Sequence, residues 1–292
     1  MSHTDHSSRG ISLSILASIL FAVSDTTAKV LSNDVPVTAI NWVRYVIFVA
    51  MAAYLARSLP RHALRPARPG LQVLRALAVL GSATLFIYGV QAMTIAQAIT
   101  ISFLSPLVIT ILSIPMLREH VGPRRWAAVG AGMLGVLLVV RPGLEGFQPA
   151  ALFGIASATC WSVGMILTRK MAGADAPETT LLWSAAIGLV LLTIALPFDF
   201  HWPTPLEWVL LLALGAIVSL GQWFTVLAHR FAPASLIAPF SYTQLVWVTI
   251  TGYLVFGDWP DAWTWAGATV IILSGLYIAH RERVATRTEP AP

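Results

Sequence analysis

The chain has 292 residues, 57% of them hydrophobic and only 11% charged, and its mean hydropathy is +0.76. Ordinary soluble domains carry about 25% charged residues, so a soluble chain of this length is excluded and the solvent for most of it is lipid. The net charge of +5 does not point to nucleic acid, because the basic residues sit in short loops between apolar runs. The single Cys160 excludes an intrachain disulfide and a cysteine-based metal site.

Runs of about 20 apolar residues predict ten helices. Helix 1 (10–30) contains Asp25 and runs through Lys29. It is too long for a signal peptide core and lacks a small-residue cleavage site, so it is expected to stay as a membrane helix. Asn33-Asp34-Val35-Pro36 turns the chain into helix 2 (36–57), which contains Arg44. Helix 3 (71–93) follows the Pro66 to Gly70 stretch and carries Tyr88 and Gln91. No Gly or Pro marks its boundary with helix 4 (96–117), which contains Pro106 and Pro115 among Gln97, Thr100, Ser102 and Ser105. Helix 5 (124–141) begins after Gly122-Pro123. Helix 6 (149–170) carries Trp161, and helix 7 covers 177–197. Helix 8 (205–229) has Ser219, Gln222 and Trp223. Helix 9 (233–256) has Pro239, Ser241, Tyr242, Thr243 and Gln244, and helix 10 (261–280) follows Trp259-Pro260.

Lysine and arginine set the direction. With the N-terminus in the cytoplasm, all but three of the 18 basic residues fall on cytoplasmic ends and loops; the exceptions are Lys29, Arg44 and Arg141. Both termini are therefore expected in the cytoplasm.

The chain also repeats itself. Pro36, Thr38 and Trp42 recur as Pro177, Thr179 and Trp183, 141 positions on. Phe21, Val23 and Lys29 recur as Trp161, Val163 and Arg169 at 140, and Glu119 and Trp126 as Asp258 and Trp265 at 139. Each repeat holds five predicted spans, an odd number, so the second enters the membrane from the opposite side. The expected fold is an all-α integral membrane protein of ten transmembrane helices in two inverted five-helix repeats. The repeats cover 10–141 and 149–280, with cytoplasmic tails at 1–9 and 281–292. Such symmetry places a site between the halves near mid-membrane and permits alternating access.

Several segments resemble the drug/metabolite transporter superfamily, EamA family. They are Ser105-Pro106-Leu107-Val108 through Leu117-Arg118-Glu119, Trp126, the glycines of Gly130 to Gly135, and Gly257-Asp258 through Trp265 and Gly275. Asp25 to Lys29 and Trp42-Val43-Arg44-Tyr45 look like a subgroup with an acid late in helix 1 and an arginine in helix 2. The second half departs from the pattern with Gln244-Leu245 where the first has Ser105-Pro106. The resemblance implies export or uptake of amino acids, purines, vitamins or related metabolites, without ATP hydrolysis.

Intramembrane charges are costly and mark candidate sites. Asp25 and Arg44 lie at similar depth below the shared turn, about 8–9 Å and about 12 Å at 1.5 Å per residue. Two readings stand: a buried ion pair locking helix 1 to helix 2, or a functional pair. In the second, Arg44 holds a substrate carboxylate, or Asp25 takes a proton or a cationic group. Pro106, Pro115 and Pro239 are expected to break or kink corresponding helices, either beside a cavity or for packing alone. Ser102, Ser105, Tyr242 and Gln244 lie near those prolines. Tyr88, Gln91, Trp161, Gln222 and Trp223 complete a candidate aromatic and amide lining. Trp42, Trp126, Trp183, Trp202, Trp208, Trp259 and Trp263 read as an interfacial belt. Ala127, Ala131 and Gly135, with Gly267 and Gly275, read as packing or dimer surfaces. No histidine has ligand spacing, and no catalytic residue, metal or cofactor is expected.

The first expectation is a secondary transporter of the bacterial inner membrane exporting amino acids or related metabolites, as monomer or homodimer, with a proton as candidate coupling ion. The alternative is an uptake carrier for a vitamin or nucleoside-like metabolite. A membrane-embedded lipid-modifying enzyme is a distant third, lacking a visible catalytic cluster. Asp25 faces Met165 and Arg44 faces Ala185 under the repeat, so specificity or coupling is expected on the first half.

Overall fold

A computed structural model describes residues 3–57, 59–118, 121–141, 149–171, 174–231, 237 and 240–288. Among them the regular elements are all helical. They are α1 (His3–Leu31), α2 (Val37–Ala56), α3 (Pro69–Ala92), α4 (Ile95–Ser102), α5 (Ser105–Leu117), α6 (Pro123–Val140), α7 (Ala151–Met171), α8 (Pro177–Ala195), α9 (Pro205–Phe231), α10 (Gln244–Phe256) and α11 (Ala262–Thr288). Seven segments are long and apolar enough to cross a membrane, counting Ile95–Leu117 as one. Three further apolar helices are shorter: Trp126–Val140, Gln244–Phe256 and Ala262–Ile278.

Lipid offers no hydrogen bonds, so each span must satisfy its own backbone. Serine and threonine hydroxyls do the same by donating back one turn, as Thr26 does to Ala22 O at 2.9 Å and Thr100 to Ala96 O at 2.7 Å. The unmarked boundary between helices 3 and 4 is a capping box. Thr94 Oγ1 accepts from the Gln97 N–H, and Gln97 Oε1 accepts from the Thr94 N–H, both at 3.2 Å. Gln97 is thus a cap. The first helix starts at His3, ahead of the expected residue 10.

The predicted helix 4 is two helices. The chain leaves α4 at Ser102, turns through Phe103 and Leu104, and enters α5 at Ser105. Pro106 lies in the first turn of α5, where a missing N–H costs nothing; it starts a helix and does not kink one. Pro115 lies in the last turn. The second half breaks at the equivalent place, with a turn at Tyr242 and Thr243 before α10. Pro239 lies outside the described residues, as does Glu119.

Packing follows the repeat. α1 packs on α9 and α10, and its counterpart α7 packs on α3 and α5. α2 packs on α9 while α8 packs on α3. The pairs α2 with α8 and α6 with α11 map onto themselves when the halves are exchanged. Each half therefore completes the other, and the cores are shared. One core joins Ala22, Ile95, Ala96 and Ile99 of the first half to Leu245, Val248 and Ala268 of the second. Gly135 and Gly267 let α6 and α11 touch: a Cβ on Gly267 would lie 2.6 Å from Gly135 O, and one on Gly135 would lie 2.9 Å from Gly267 O. These two members of the small-residue stripes pack within the chain. Trp126, Trp202, Trp259 and Trp263 are exposed near helix ends.

Candidate functional site

The two helix breaks meet. Phe103, at the break between α4 and α5, sets its ring edge-on against Tyr242, at the break before α10, with centroids 4.9 Å apart. Side-chain hydroxyls take up carbonyls at both breaks. Ser105 Oγ donates to Ser102 O at 2.7 Å, and Thr243 Oγ1 to Phe240 O at 2.6 Å. Ser162 of α7 reaches in to donate to Ser105 O at 3.1 Å. Gly275 of α11 leaves the room that the Tyr242 hydroxyl occupies. Carbonyls at the two breaks that also accept from hydroxyls are polar surface held inside the bundle, the setting in which non-helical backbone is tolerated at membrane depth.

Beside this junction stands the carboxylate of Asp25. Its Oδ2 accepts a hydrogen bond from Gln244 Nε2 at 2.9 Å, across the interface between the halves. One position on, the Thr26 hydroxyl lies within hydrogen-bond distance of Thr251 Oγ1 of α10, at 2.7 Å. Arg44 belongs to a second polar chain: its Nη1 donates to Asn41 Oδ1 at 3.4 Å, and Asn41 Nδ2 donates to Thr84 Oγ1 at 3.3 Å. Asp25 and Arg44 do not come within 4 Å of each other. Among the described residues the ion pairs are Lys29 with Asp258 and Arg141 with Asp261. Of the two readings of these charges, the direct ion pair is not formed: an amide engages each, Gln244 for Asp25 and Asn41 for Arg44. Both side chains remain part-exposed within the bundle.

The structure brings Asp25, Ser102, Ser105, Pro106, Tyr242 and Gln244 together around the breaks, and sets Arg44 apart with Asn41 and Thr84. Other predicted residues lie elsewhere or are engaged in structural contacts. Tyr88 is exposed and packs its ring on Phe153 at 5.9 Å, on the outer surface where α3 meets α7. Gln91 donates to Ser32 O at 2.7 Å and ties the end of α3 to the end of α1. Trp161 is exposed on α7. Gln222 and Trp223 are part-buried on α9 and make no hydrogen bond with the described residues. Trp247 is a lining candidate by its depth in its span, while Asn41 and Lys29 escaped the sequence reading of the site. Asn41 is fully buried beneath Arg44. Trp247, one turn beyond Gln244, has its indole N–H buried without a partner. Lys29 closes one end of the site, bonded to Asp258 Oδ2 at 3.2 Å and Met93 O at 3.0 Å and lying 4.6 Å from the Phe256 ring centroid. Both Lys29 and Asp258 were visible as repeat anchors; their meeting was not. Among the described residues no group of three His, Cys, Asp or Glu side chains is placed to hold a metal.

Known proteins match the chain along most or all of its length. The family model of EamA-like transporters matches residues 8–141 and 148–279. The chain is 31% identical to a riboflavin transporter of Vibrio cholerae, covering 99% of each. It is 30% identical to a riboflavin transporter of Rhizobium johnstonii, over 92% of this chain and 90% of that one. An S-adenosylmethionine uptake transporter of Rickettsia prowazekii is 27% identical, over 94% and 93%. A protein known from a crystal structure is similar in fold, with a TM-score of 0.64 at 22% identity, covering 99% of this chain and 100% of that one.

Proposed function

The chain belongs to the EamA-like transporter family, and from that premise we propose that it is an uptake carrier for a vitamin or nucleoside-like metabolite. In this reading ten helices cross the bacterial inner membrane as two inverted repeats, both termini lie in the cytoplasm, and access alternates between the two faces. The observation that carries the reading is the Asp25–Gln244 hydrogen bond at the meeting point of the two broken helices. Discontinuous helices in the two halves of an inverted repeat mark a transporter's binding site. The solute class draws on the relatives. Riboflavin and S-adenosylmethionine each join a flat heteroaromatic ring to a hydroxylated five-carbon unit. Phe103, Tyr242 and Trp247 offer aromatic faces to such a ring, and Gln244, Asp25 and Asn41 offer hydrogen bonds to its polar edge and hydroxyls. The first expectation, amino-acid export, draws no support from these relatives, and no observation favours a lipid-modifying enzyme.

Purified protein in liposomes tests the proposal against riboflavin, S-adenosylmethionine and an amino-acid panel, with and without an imposed proton gradient. Saturable uptake of a ring-bearing solute is expected, falling at least tenfold in Asp25→Asn and in Arg44→Gln. Amino-acid flux with no ring-bearing solute carried sinks the solute class. Wild-type rates in both variants across a range of pH sink the site.

A further inference from the structure

A further buried cation lies toward the start of α3, and it takes no part in the hydrogen bonds described at the helix breaks. Arg75 of α3 is 7% exposed. It lies 18 residues along the helix from Met93, whose carbonyl receives Lys29, about 27 Å away at 1.5 Å per residue. Its Nε donates to Thr168 Oγ1 of α7 at 2.6 Å, and its Nη1 donates to Ser184 Oγ of α8. Both partners are neutral hydroxyls. Among the described residues no carboxylate comes within 4 Å of it. Asp175, the acid at this end, is engaged one turn away by Gln72 Nε2 at 2.8 Å and the Ala67 N–H at 2.6 Å. Tyr45 of α2, next to Arg44 in the chain, is buried with its ring seated over Gly188 of α8. A guanidinium has five N–H donors, and two are used here.

The repeat shows that the scaffold does not need this cluster. Thr168 corresponds to Ala28 at 140 positions, Ser184 to Val43 at 141, and Arg75 to Leu214 or Gly215 at 139 or 140. Ala28, Val43 and Leu214 are buried together in one apolar core. The same junction of three helices therefore closes without polar groups in the other copy. At this end a charge has been added and left without a counter-ion, a costly arrangement inside a membrane. An arriving oxyanion removes that cost, because the guanidinium fork matches carboxylate and phosphate oxygens.

We propose that Arg75, with Thr168 and Ser184, forms an oxyanion site that takes a carboxylate or phosphate group of a solute that carries one. The proposal rests on the chain being a carrier, but its test reads binding and not flux, so the two fail separately. The protein is placed in nanodiscs of phosphatidylcholine, and thermal unfolding is followed in sodium phosphate against sodium chloride at equal ionic strength. Phosphate is expected to raise the Tm by about 2 °C or more. The rise is expected to survive in Arg44→Gln and to vanish in Arg75→Gln. If Arg75→Gln does not fold, Arg75→Lys keeps the charge without the fork and is expected to lose at least half of the rise. No rise in the wild type overturns the proposal, and so does an undiminished rise in the Arg75 variants. Stabilisation seen only when phosphatidylglycerol replaces part of the phosphatidylcholine, with none from phosphate, overturns it in favour of a lipid headgroup.

Discussion

Gly257 ends α10 at a φ of 72°, and no atom lies within 4 Å of where its Cβ would be. The cost of a side chain there is purely conformational, so Gly257→Ala is expected to lower stability by about 1 kcal/mol, read by thermal unfolding of the purified protein. The equivalent residue of the first half, Arg118, adopts a similar φ of 57° at the end of α5. Two residues, one glycine and one not, thus serve the same turn, and only the backbone shows it. Asp261 makes a second test at this scale. Its Oδ1 accepts from the Thr264 N–H at 2.8 Å and the Thr264 hydroxyl at 2.6 Å, and Arg141 pairs with its other oxygen. Burial alone would raise its pKa, but the Thr264 bonds and the Arg141 charge outweigh it and hold the carboxyl below its ordinary value of 3.8. A depressed folded value means that stability is contributed in full above 3.8 and lost as pH falls through the folded value. Acid unfolding between pH 5 and pH 2 is therefore expected to be less steep in Asp261→Asn than in the wild type.

At the scale of elements, the crossing of α6 and α11 decides how the halves lock. Gly135 and Gly267 bring the two backbones into contact, so no side chain fits between them. Gly267→Val is expected to cost about 1–3 kcal/mol through overpacking, seen as a lower unfolding temperature and a broadened size-exclusion peak. The small-residue spacing on both helices was plain in the sequence. The sequence left open whether those stripes faced each other or another copy of the chain, because spacing gives a face and not its partner. The broken helices show the same limit. Pro106 announced an interruption in helix 4, but a proline inside an apolar run reads as a kink or as a fresh start. The turn at Phe103–Leu104 makes it a start. In the second half the turn falls at Tyr242–Thr243, three residues beyond Pro239 in the chain, so a proline announced an interruption there too but not its place.

The whole molecule is built on exchange between its halves, with α1 on α9 and α10 answered by α7 on α3 and α5. An inverted arrangement makes a direct prediction about sidedness. In a Cys160→Ser background, single cysteines at exposed positions are labelled with a membrane-impermeant maleimide in intact cells. Asn33→Cys and Asp199→Cys are expected to react from outside. Arg57→Cys and Ala174→Cys are expected to react only after permeabilisation. Labelling of all four from one side would remove the inversion and, with it, the case for alternating access.

The sequence by itself determined the solvent, the repeat and the family. All three are set by composition and by residues in register, which survive without coordinates. It also picked out Asp25 and Arg44, because a charge in an apolar run is costly wherever the run ends up. Only the tertiary structure decided what those charges meet. Asp25 took Gln244 from 219 positions away, and Arg44 took Asn41 from its own helix. Depth along a helix can be counted from its ends, but a partner depends on how helices rotate and cross, which follows from packing across the chain. The same reason hid Arg75. Near the end of a span it read as a topology marker, and the burial that makes it a site exists only once α7 and α8 close over it.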